Sequence, residues 1–314
     1  FFRPTPVADV EPLIRDRRRG LVMETESDPA SAQAMGLPEA TNLIQEDEAG
    51  PQPEHPVPYD RNTCSPQPQT GSPCPGTLTM ADGSYEGDLI AIMHGIGKKV
   101  YFNGGSYEGS WVYGQRHGEG RMVHPNGDVY QGQWRNGVRE GKGTMTNTRG
   151  DVYEGDFLDD RKEGTGVYRW SDGTVHEGNF KGGYFEGFGM RRWVDGDQYE
   201  GNWHRDLKEG HGTYTYVSGD VYEGSWHEDR REGHGQIRMS NGDIYQGAWS
   251  QDKFEGTGCY LWIDGSSYDG LLRDGFFNGF GRRKWVNGDI YEGMWQADKK
   301  HGQGTFHVAG GDVY

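Results

Sequence analysis

The sequence of 314 residues is poor in cysteine, in long apolar runs and in positive charge. Its three cysteines, Cys64, Cys74 and Cys259, are odd in number and show no Cys-x-x-Cys spacing, so they predict no disulfide framework and indicate a reducing compartment. No stretch of 18 apolar residues occurs, and this predicts that no helix spans a membrane. Only 32% of the residues are hydrophobic, which is too few for a large aliphatic core.

Basic residues are outnumbered, with 32 Lys and Arg against 48 Asp and Glu, for a formal net charge of −16. Nucleic-acid binding depends on a basic surface that neutralises phosphates, so we expect no nucleic-acid partner. Anionic lipid is also disfavoured, and we expect membrane contact to be weak or absent.

Proline is nearly missing after residue 76, whereas glycine and tryptophan are concentrated there. Thirteen of 14 prolines lie in residues 1–76, and 48 of 53 glycines and all ten tryptophans lie beyond them. The composition therefore predicts a Pro-rich tail or linker over 1–76, extended or disordered, and a folded region over 77–314. Because the chain does not begin with Met and stops at the start of a repeat, we expect both ends to be cut.

The folded region repeats itself every 23 residues. A tyrosine heads each repeat, a Gly-x-Gly pair follows ten to eleven residues later, and His176 takes the tyrosine's place once. Ten repeats in unbroken register predict a stacked repeat array without one central core. The heading tyrosines are Tyr85, Tyr107, Tyr130, Tyr153, Tyr199, Tyr222, Tyr245, Tyr268, Tyr291 and Tyr314.

Within a repeat, apolar residues alternate with polar ones. Tyr222, Gly224 and Trp226 share one face of a strand, and a second alternating run begins at Gly233. Asn241-Gly242 then offers the positive φ angles of a tight hairpin turn. We expect two antiparallel strands per repeat, with glycines leaving slots in which neighbouring aromatic rings lie.

The pattern Tyr-Glu-Gly-x-Trp, then Gly-x-Gly, then Asn/Asp-Gly-Asp resembles the MORN (membrane occupation and recognition nexus) repeat family, over about residues 80–314. The resemblance implies an all-β fold: an elongated, single-layer antiparallel β-ribbon of about ten hairpin repeats. Leu89 and Leu272 depart from the pattern at the second aromatic position, and His176 departs at the first. Members of the family act as cytoskeletal scaffolds, junction proteins and accessory modules of enzymes, so the family alone does not fix a function.

A second period of 92 residues, or four repeats, relates two aromatic clusters. Phe188 and Phe280 occupy the middle of Gly-x-Gly, where most repeats carry a polar residue, and strand parity predicts that both rings point away from the glycine face. Exposed rings beside arginine are typical of protein contacts, although sheet twist could instead cover them. With about 10 Å per repeat, the two clusters would lie about 40 Å apart. The candidate protein-binding residues are Tyr184, Phe185, Phe188, Arg191, Arg192, Phe276, Phe277, Phe280, Arg282 and Arg283.

No catalytic, cofactor-binding or metal-binding set is readable. The histidines and carboxylates recur because the repeat recurs, and positions 23 residues apart do not converge on one site. We therefore expect a non-enzymatic scaffold without cofactors. Long arrays of this kind resemble the radial spoke head proteins of motile cilia and the cytoskeletal scaffolds of protists. The resemblance implies a place in an axonemal or protist cytoskeletal assembly, and therefore a location in the cytoplasm and cytoskeleton, with the axoneme of a cilium or flagellum expected. It also implies protein partners, which include a second MORN protein or a homodimer. The alternative is a MORN targeting module of a membrane-junction protein or a phosphoinositide kinase-like enzyme.

Overall fold

The computed structural model describes residues 74–89 and 93–314, and in these residues every regular element is a β-strand. All 21 strands belong to one antiparallel sheet, which confirms the predicted all-β hairpin architecture. The strands are β1 Cys74–Met80, β2 Gly83–Leu89, β3 Met93–Tyr101, β4 Ser106–Val112, β5 Gln115–Val123, β6 Val129–Arg135, β7 Val138–Thr146, β8 Val152–Leu158, β9 Arg161–Arg169, β10 Val175–Lys181, β11 Tyr184–Arg192, β12 Gln198–His204, β13 Leu207–Thr215, β14 Val221–His227, β15 Arg230–Arg238, β16 Ile244–Ser250, β17 Lys253–Leu261, β18 Ser267–Arg273, β19 Phe276–Lys284, β20 Ile290–Gln296 and β21 Lys299–His307.

Contacts divide the described residues into two compact blocks. The first block holds the described residues up to Asp229, and the second block is Arg230–Tyr314. Within each block, every strand pairs antiparallel with the next strand along the chain. Strand β1 begins at Cys74, so the last three residues of the predicted tail are already paired in the sheet. The rest of the prediction for residues 1–76 lies outside the described residues.

The two glycines of each Gly-x-Gly pair have different structural roles. The first glycine has a positive φ, 68° at Gly210 and 67° at Gly256, and lies in a β-bulge where the long strand carries extra residues opposite the short strand. Only glycine adopts this backbone conformation at low cost. The bulge explains why seven-residue strands alternate with nine-residue strands.

The second glycine provides the slot that the sequence predicts. A Cβ atom built on Gly258 would lie 2.5 Å from the hydroxyl of Tyr245, so any side chain there would displace the ring. The tyrosine is fully buried, and its hydroxyl donates a hydrogen bond of 2.7 Å to the carbonyl of Ala248. The same slot recurs at Gly97, Gly120, Gly143, Gly166, Gly212, Gly281 and Gly304.

The second aromatic of each repeat links neighbouring tyrosines. Trp134, for example, packs edge-to-face against Tyr130 of its own repeat and Tyr107 of the preceding one, with ring centres 5.1 and 5.3 Å apart. Its indole N–H donates to the carbonyl of Gly120 at 3.2 Å. Edge-to-face pairs contribute roughly 0.5–1.5 kcal/mol each beyond the area they bury. The core is therefore a continuous row of rings within each block.

The predicted turn at Asn241-Gly242 is wrong in type. Only Gly242 has a positive φ there, and the segment is a five-residue loop in which the Met239 amide donates to the carbonyl of Asp243. Two consecutive positive φ angles, typical of a type I′ turn, occur instead at the other end of the repeat, as in Gln251 and Asp252 at 49° and 65°.

Hydrogen bonds to a neighbouring repeat hold these non-glycine turns. The carboxylate of Asp252 accepts from the backbone N–H of Arg231 at 3.0 Å and from its Nε at 3.0 Å, and Asp160 accepts the equivalent pair from Arg139 at 2.9 Å. Local strain is thus offset by contacts to the preceding repeat.

Candidate protein-interaction surface

The outward orientation predicted for the two central phenylalanines is confirmed. Phe188 of β11 is 55% exposed and Phe280 of β19 is 53% exposed, although each directly precedes a buried glycine, Gly189 or Gly281. Tyr184 at the start of β11 is also exposed, whereas Phe276 at the start of β19 is half-buried. The sheet therefore presents a phenylalanine from the middle of Gly-x-Gly on its outer face in each block.

Two phenylalanines predicted to join these clusters are buried, so they cannot contact a partner from the folded chain. The ring centres of Phe185 and His176 are 3.9 Å apart, and Phe277 lies parallel to Tyr268 with ring centres 3.6 Å apart. Phe254 takes the same position and stacks on Tyr245, whereas the remaining repeats place Lys or Arg there, for example Arg231 over the aromatic face. Phenylalanine here replaces a cation that would otherwise cover the rings.

Two of the predicted arginines pack against aromatic rings, Arg191 buried and Arg283 half-buried. The Arg191 guanidinium lies 4.4 Å from the ring centre of Trp203 and 5.0 Å from that of Trp170, and its side chain is buried. Arg283 lies 3.5 Å from the ring centre of Trp262, and burial lowers its pKa to about 10. Both arginines stabilise aromatic rings by cation–π contact, so packing accounts for their presence in the repeat, and their role in protein binding stays a prediction.

The remaining two arginines are on the surface. Arg192 is exposed at the end of β11, and Arg282 is exposed on the outer face of β19. Arg282 forms a loose ion pair with Glu292 of β20, with Nε and the carboxylate oxygen 4.0 Å apart. An exposed pair at this distance contributes little to stability, which leaves both groups free to reorient toward a partner.

Sequence reasoning missed the residues beside Phe280. Leu271 of β18 and Met294 of β20 are each 40% exposed and flank that ring on the outer face. The flanking residues of Phe188 are Asn179 and Asn202 instead. Comparing the residue before the second aromatic across all repeats would have revealed the difference. Ile96, 64% exposed at the same 92-residue spacing, was missed as well.

His176 differs from the tyrosines that it replaces. It is completely buried, and neither ring nitrogen has a hydrogen-bond partner. Burial lowers its pKa to about 2, with a smaller contribution from Arg191. The imidazole is therefore neutral in the folded protein and serves as a packing element.

Across residues 74–89 and 93–314, no cluster of His, Cys, Asp or Glu has the geometry to hold a metal ion. The same residues include no helix with the length and apolar character needed to cross a bilayer.

Ten consecutive MORN repeats match the family pattern, and together they span residues 85–313, well over half of the chain. The chain belongs to the MORN repeat family. The matched segments coincide with the structural repeat, each from a heading aromatic to the residue before the next. They are 85–106, 107–129, 130–152, 153–175, 176–198, 199–221, 222–244, 245–267, 268–290 and 291–313.

A search of curated proteins found no match to this MORN sequence. Among solved structures, the chain is similar to the SAS-4 (dCPAP) TCP domain of Drosophila melanogaster, which was solved in complex with a proline-rich motif of Ana2. The two sequences are 14% identical, and the alignment covers 62% of this chain and 99% of that chain with a TM-score of 0.34. The TCP10 domain of Danio rerio CPAP is 13% identical, with coverages of 68% and 95% and a TM-score of 0.36. Similarity this low carries no functional argument.

Proposed function

We propose that this MORN array is a non-catalytic protein-interaction scaffold of a cytoskeletal assembly, of the axonemal radial-spoke type or a protist cytoskeletal complex. Its place would then be the cytoplasm and cytoskeleton, with the axoneme of a cilium or flagellum as the main expectation. The observation that carries the proposal is the exposure of Phe188 and Phe280 on the outer face of the sheet.

The argument rests on what the fold requires. The tyrosines, the tryptophans that pack between them and the glycines recur because the inner face needs them, and their packing there explains their presence. The fold needs no ring at the outer position, where Thr165 and Thr257 serve equally well in other repeats. A large apolar side chain left in water at such a position is typical of a protein contact.

The test is the double variant Phe188→Ser with Phe280→Ser, expressed in ciliated cells. We expect the variant to fold, because neither ring packs on the inner face, and to be incorporated less into isolated axonemes than the unchanged chain. The matched control is Thr165→Ser with Thr257→Ser, which alters the same position in two other repeats. Normal incorporation of the phenylalanine variant, or its unfolding as judged by circular dichroism, would contradict the proposal.

The alternative function is a targeting module of a membrane-junction protein or a phosphoinositide kinase-like enzyme. The net charge of −16 opposes it, since anionic lipid repels an acidic surface. We expect weak binding to phosphatidylserine vesicles at physiological salt. Vesicle binding with a dissociation constant below about 1 µM, which disappears at high salt, would favour the membrane-targeting function instead.

A further inference from the structure

On the inner face of the sheet, cations pair with aspartates of the following repeat. The cation is the second residue of a long strand, and the aspartate is the second residue of the turn that comes 21 residues later. Arg139 Nε and Asp160 lie 2.9 Å apart, and Arg231 Nε and Asp252 lie 3.0 Å apart. In both pairs the carboxylate also accepts the backbone N–H of the arginine, at 2.9 and 3.0 Å. The repeat therefore contains a place built for one carboxylate, bounded by a side-chain cation and a backbone N–H.

One repeat of the first block keeps the cation and lacks the aspartate. Lys162 is the second residue of β9, and the turn residue that would carry the carboxylate is Gly183. The backbone contact is the same, because the Gly183 N–H donates to the carbonyl of Lys162 at 3.0 Å, as the Asp160 N–H donates to the carbonyl of Arg139 at 3.2 Å. A Cβ built on Gly182 or Gly183 would meet no atom within 4 Å. The space in which an aspartate side chain would begin is therefore open.

The ammonium group of Lys162 has aromatic neighbours instead of a carboxylate. Its Nζ lies 4.4 Å from the ring centre of Tyr168 and 5.4 Å from that of Tyr153, and among the residues that the structure describes no carboxylate lies within ion-pair distance of it. Burial lowers its pKa to about 8, against a smaller opposing effect of Asp206, so the group is still positively charged at neutral pH. Asp206 itself accepts the N–H of Phe185 at 2.7 Å. A half-buried cation without a close counter-ion is costly, and an incoming carboxylate would offset that cost.

The other repeats identify the class of ligand that suits this place. Each aspartate there presents one carboxylate to a backbone N–H and a cation, and lysine serves as well as arginine, since the Lys208 N–H donates to Asp229 at 2.9 Å. A phosphate group is less suitable, because it carries more oxygens than these donors satisfy. The faces of the Tyr153 and Tyr168 rings are also negative, which disfavours a second charge beside them. The ligand chemistry that fits beside Lys162 is a carboxylate.

The inner face of the first block can attract an acidic ligand although the net charge of the chain is −16. Charges of opposite sign are separated between the two faces, and the local field depends on the nearer charges. The cations that lie over aromatic rings of the inner face include Lys99, Arg116, Arg139, Lys162, Arg191 and Lys208. By strand parity the residue after each heading aromatic points to the outer face, and in this block the exposed glutamates at that position are Glu86, Glu108, Glu154, Glu177, Glu200 and Glu223.

We propose that Lys162, its backbone N–H and the Gly182–Gly183 turn form a binding site on the inner face for a carboxylate of an acidic partner segment. An Asp or Glu side chain of the partner takes the place that the turn aspartate takes in other repeats. The site lies on the face opposite Phe188, so it is a second contact, separate from the one that carries the proposed function. Binding is measured on purified protein without any cytoskeletal assembly, so the two proposals can fail separately.

The experiment measures the fluorescence anisotropy of a labelled hexa-aspartate peptide that is titrated with the full chain at physiological salt. The variant Gly183→Asp supplies Lys162 with a carboxylate from its own chain and so fills the site from within. We expect its dissociation constant for the peptide to be at least about tenfold higher than that of the unchanged chain. The matched control is Gly275→Asp, which makes the same change in a turn where Phe254 stands in place of the lysine and where a Cβ also meets no atom within 4 Å. The control should stay within about twofold of the unchanged chain, because salt screens an added exposed charge.

A second variant and a second probe keep the result unambiguous. Lys162→Met should weaken peptide binding as much as Gly183→Asp does, because it removes the cation and keeps a long side chain over the rings, and circular dichroism should show that all variants are folded. The proposal is overturned if the unchanged chain does not bind the peptide at concentrations up to about 1 mM, or if either of these two variants binds it equally well. An equal loss in Gly275→Asp would also overturn it, since general charge repulsion would then explain the effect. Tighter binding of labelled tripolyphosphate that Gly183→Asp abolishes would assign the site to phosphate and overturn the choice of a carboxylate.

Discussion

Replacing His176 with tyrosine should stabilise the array, because it restores the residue for which the slot is built. The imidazole stands where eight fully buried tyrosines stand in other repeats, and both of its nitrogens lack hydrogen-bond partners. A tyrosine hydroxyl would reach the carbonyl three residues on, that of Asn179, as Tyr268 reaches Leu271 at 2.8 Å. The neighbouring Phe185 should permit this, because Phe277 stacks on Tyr268 in the same arrangement.

The expected gain follows from the groups exchanged. A new hydrogen bond contributes about 0.5–1.5 kcal/mol, and removing an unsatisfied buried polar group recovers about 1–3 kcal/mol. Since some relaxation already softens the second contribution, we expect a gain of about 1–3 kcal/mol at neutral pH. Repeat arrays do not always unfold in one step, so the appropriate assay is native-state hydrogen exchange at the amides of β10 and β11. There, about 1.4 kcal/mol corresponds to tenfold slower exchange.

The gain should also grow as the pH falls. Burial holds the folded-state pKa of His176 near 2, below its ordinary value of 6.5, so the unfolded chain binds a proton that the folded chain does not. The folded state therefore loses stability as pH drops below about 6.5, by up to about 1.4 kcal/mol per pH unit, and the tyrosine variant escapes this loss. The reverse variant Tyr268→His should acquire it. The reasoning is refuted if His176→Tyr gives no gain at neutral pH and its difference from the unchanged chain is constant between pH 7 and 5.

Two further predictions concern the slot and the turn. Gly258→Ala should destabilise the protein by more than about 3 kcal/mol, because its Cβ would meet the Tyr245 ring. The control Gly265→Ala should cost only about 1 kcal/mol, because Gly265 has a φ of +84° but no atom within 4 Å. Urea unfolding compares the two variants, and equal losses of stability would count against the slot. Asp252→Ala should lower the free energy of unfolding by about 3 kcal/mol, because it removes the carboxylate that pairs with the buried Arg231. Asp274→Ala serves as the control, since its partner Lys253 is exposed. Loss of stability in the control alone would contradict the argument.

Strand parity predicted the most secure parts of the structure. Alternation of apolar and polar residues is a local property, and it placed Tyr222 and Trp226 inside and Phe188 outside without knowledge of the neighbours. The same rule contained a signal that was overlooked. Phe185 and Arg191 each lie two residues from a glycine of Gly187-Phe-Gly189, and parity alone assigns them to the inner face. An arginine in a core was not expected because its partners, such as Trp203, come from another strand.

The turns were harder to predict from the sequence than the orientation of the strand residues, for a different reason. Asn241-Gly242 is typical of a two-residue hairpin turn, yet the loop there is longer, and the true two-residue turns include pairs such as Gln251-Asp252 that carry no glycine. Their positive φ angles are held by hydrogen bonds to Arg231, which lies 21 residues earlier. A contact between repeats is a tertiary feature, and no local propensity encodes it.

The two faces of the sheet carry different kinds of information. On the inner face the slot leaves no choice, because a Cβ in place of Gly304 would lie 2.3 Å from the Tyr291 hydroxyl. Identity between repeats there reports the fold alone. On the outer face Asn202 and Met294 occupy equivalent positions with equivalent backbone pairing, so the fold is indifferent to the difference between them. A difference that packing does not require must be explained by what the surface meets. In a repeat protein, function is therefore best sought where the copies disagree.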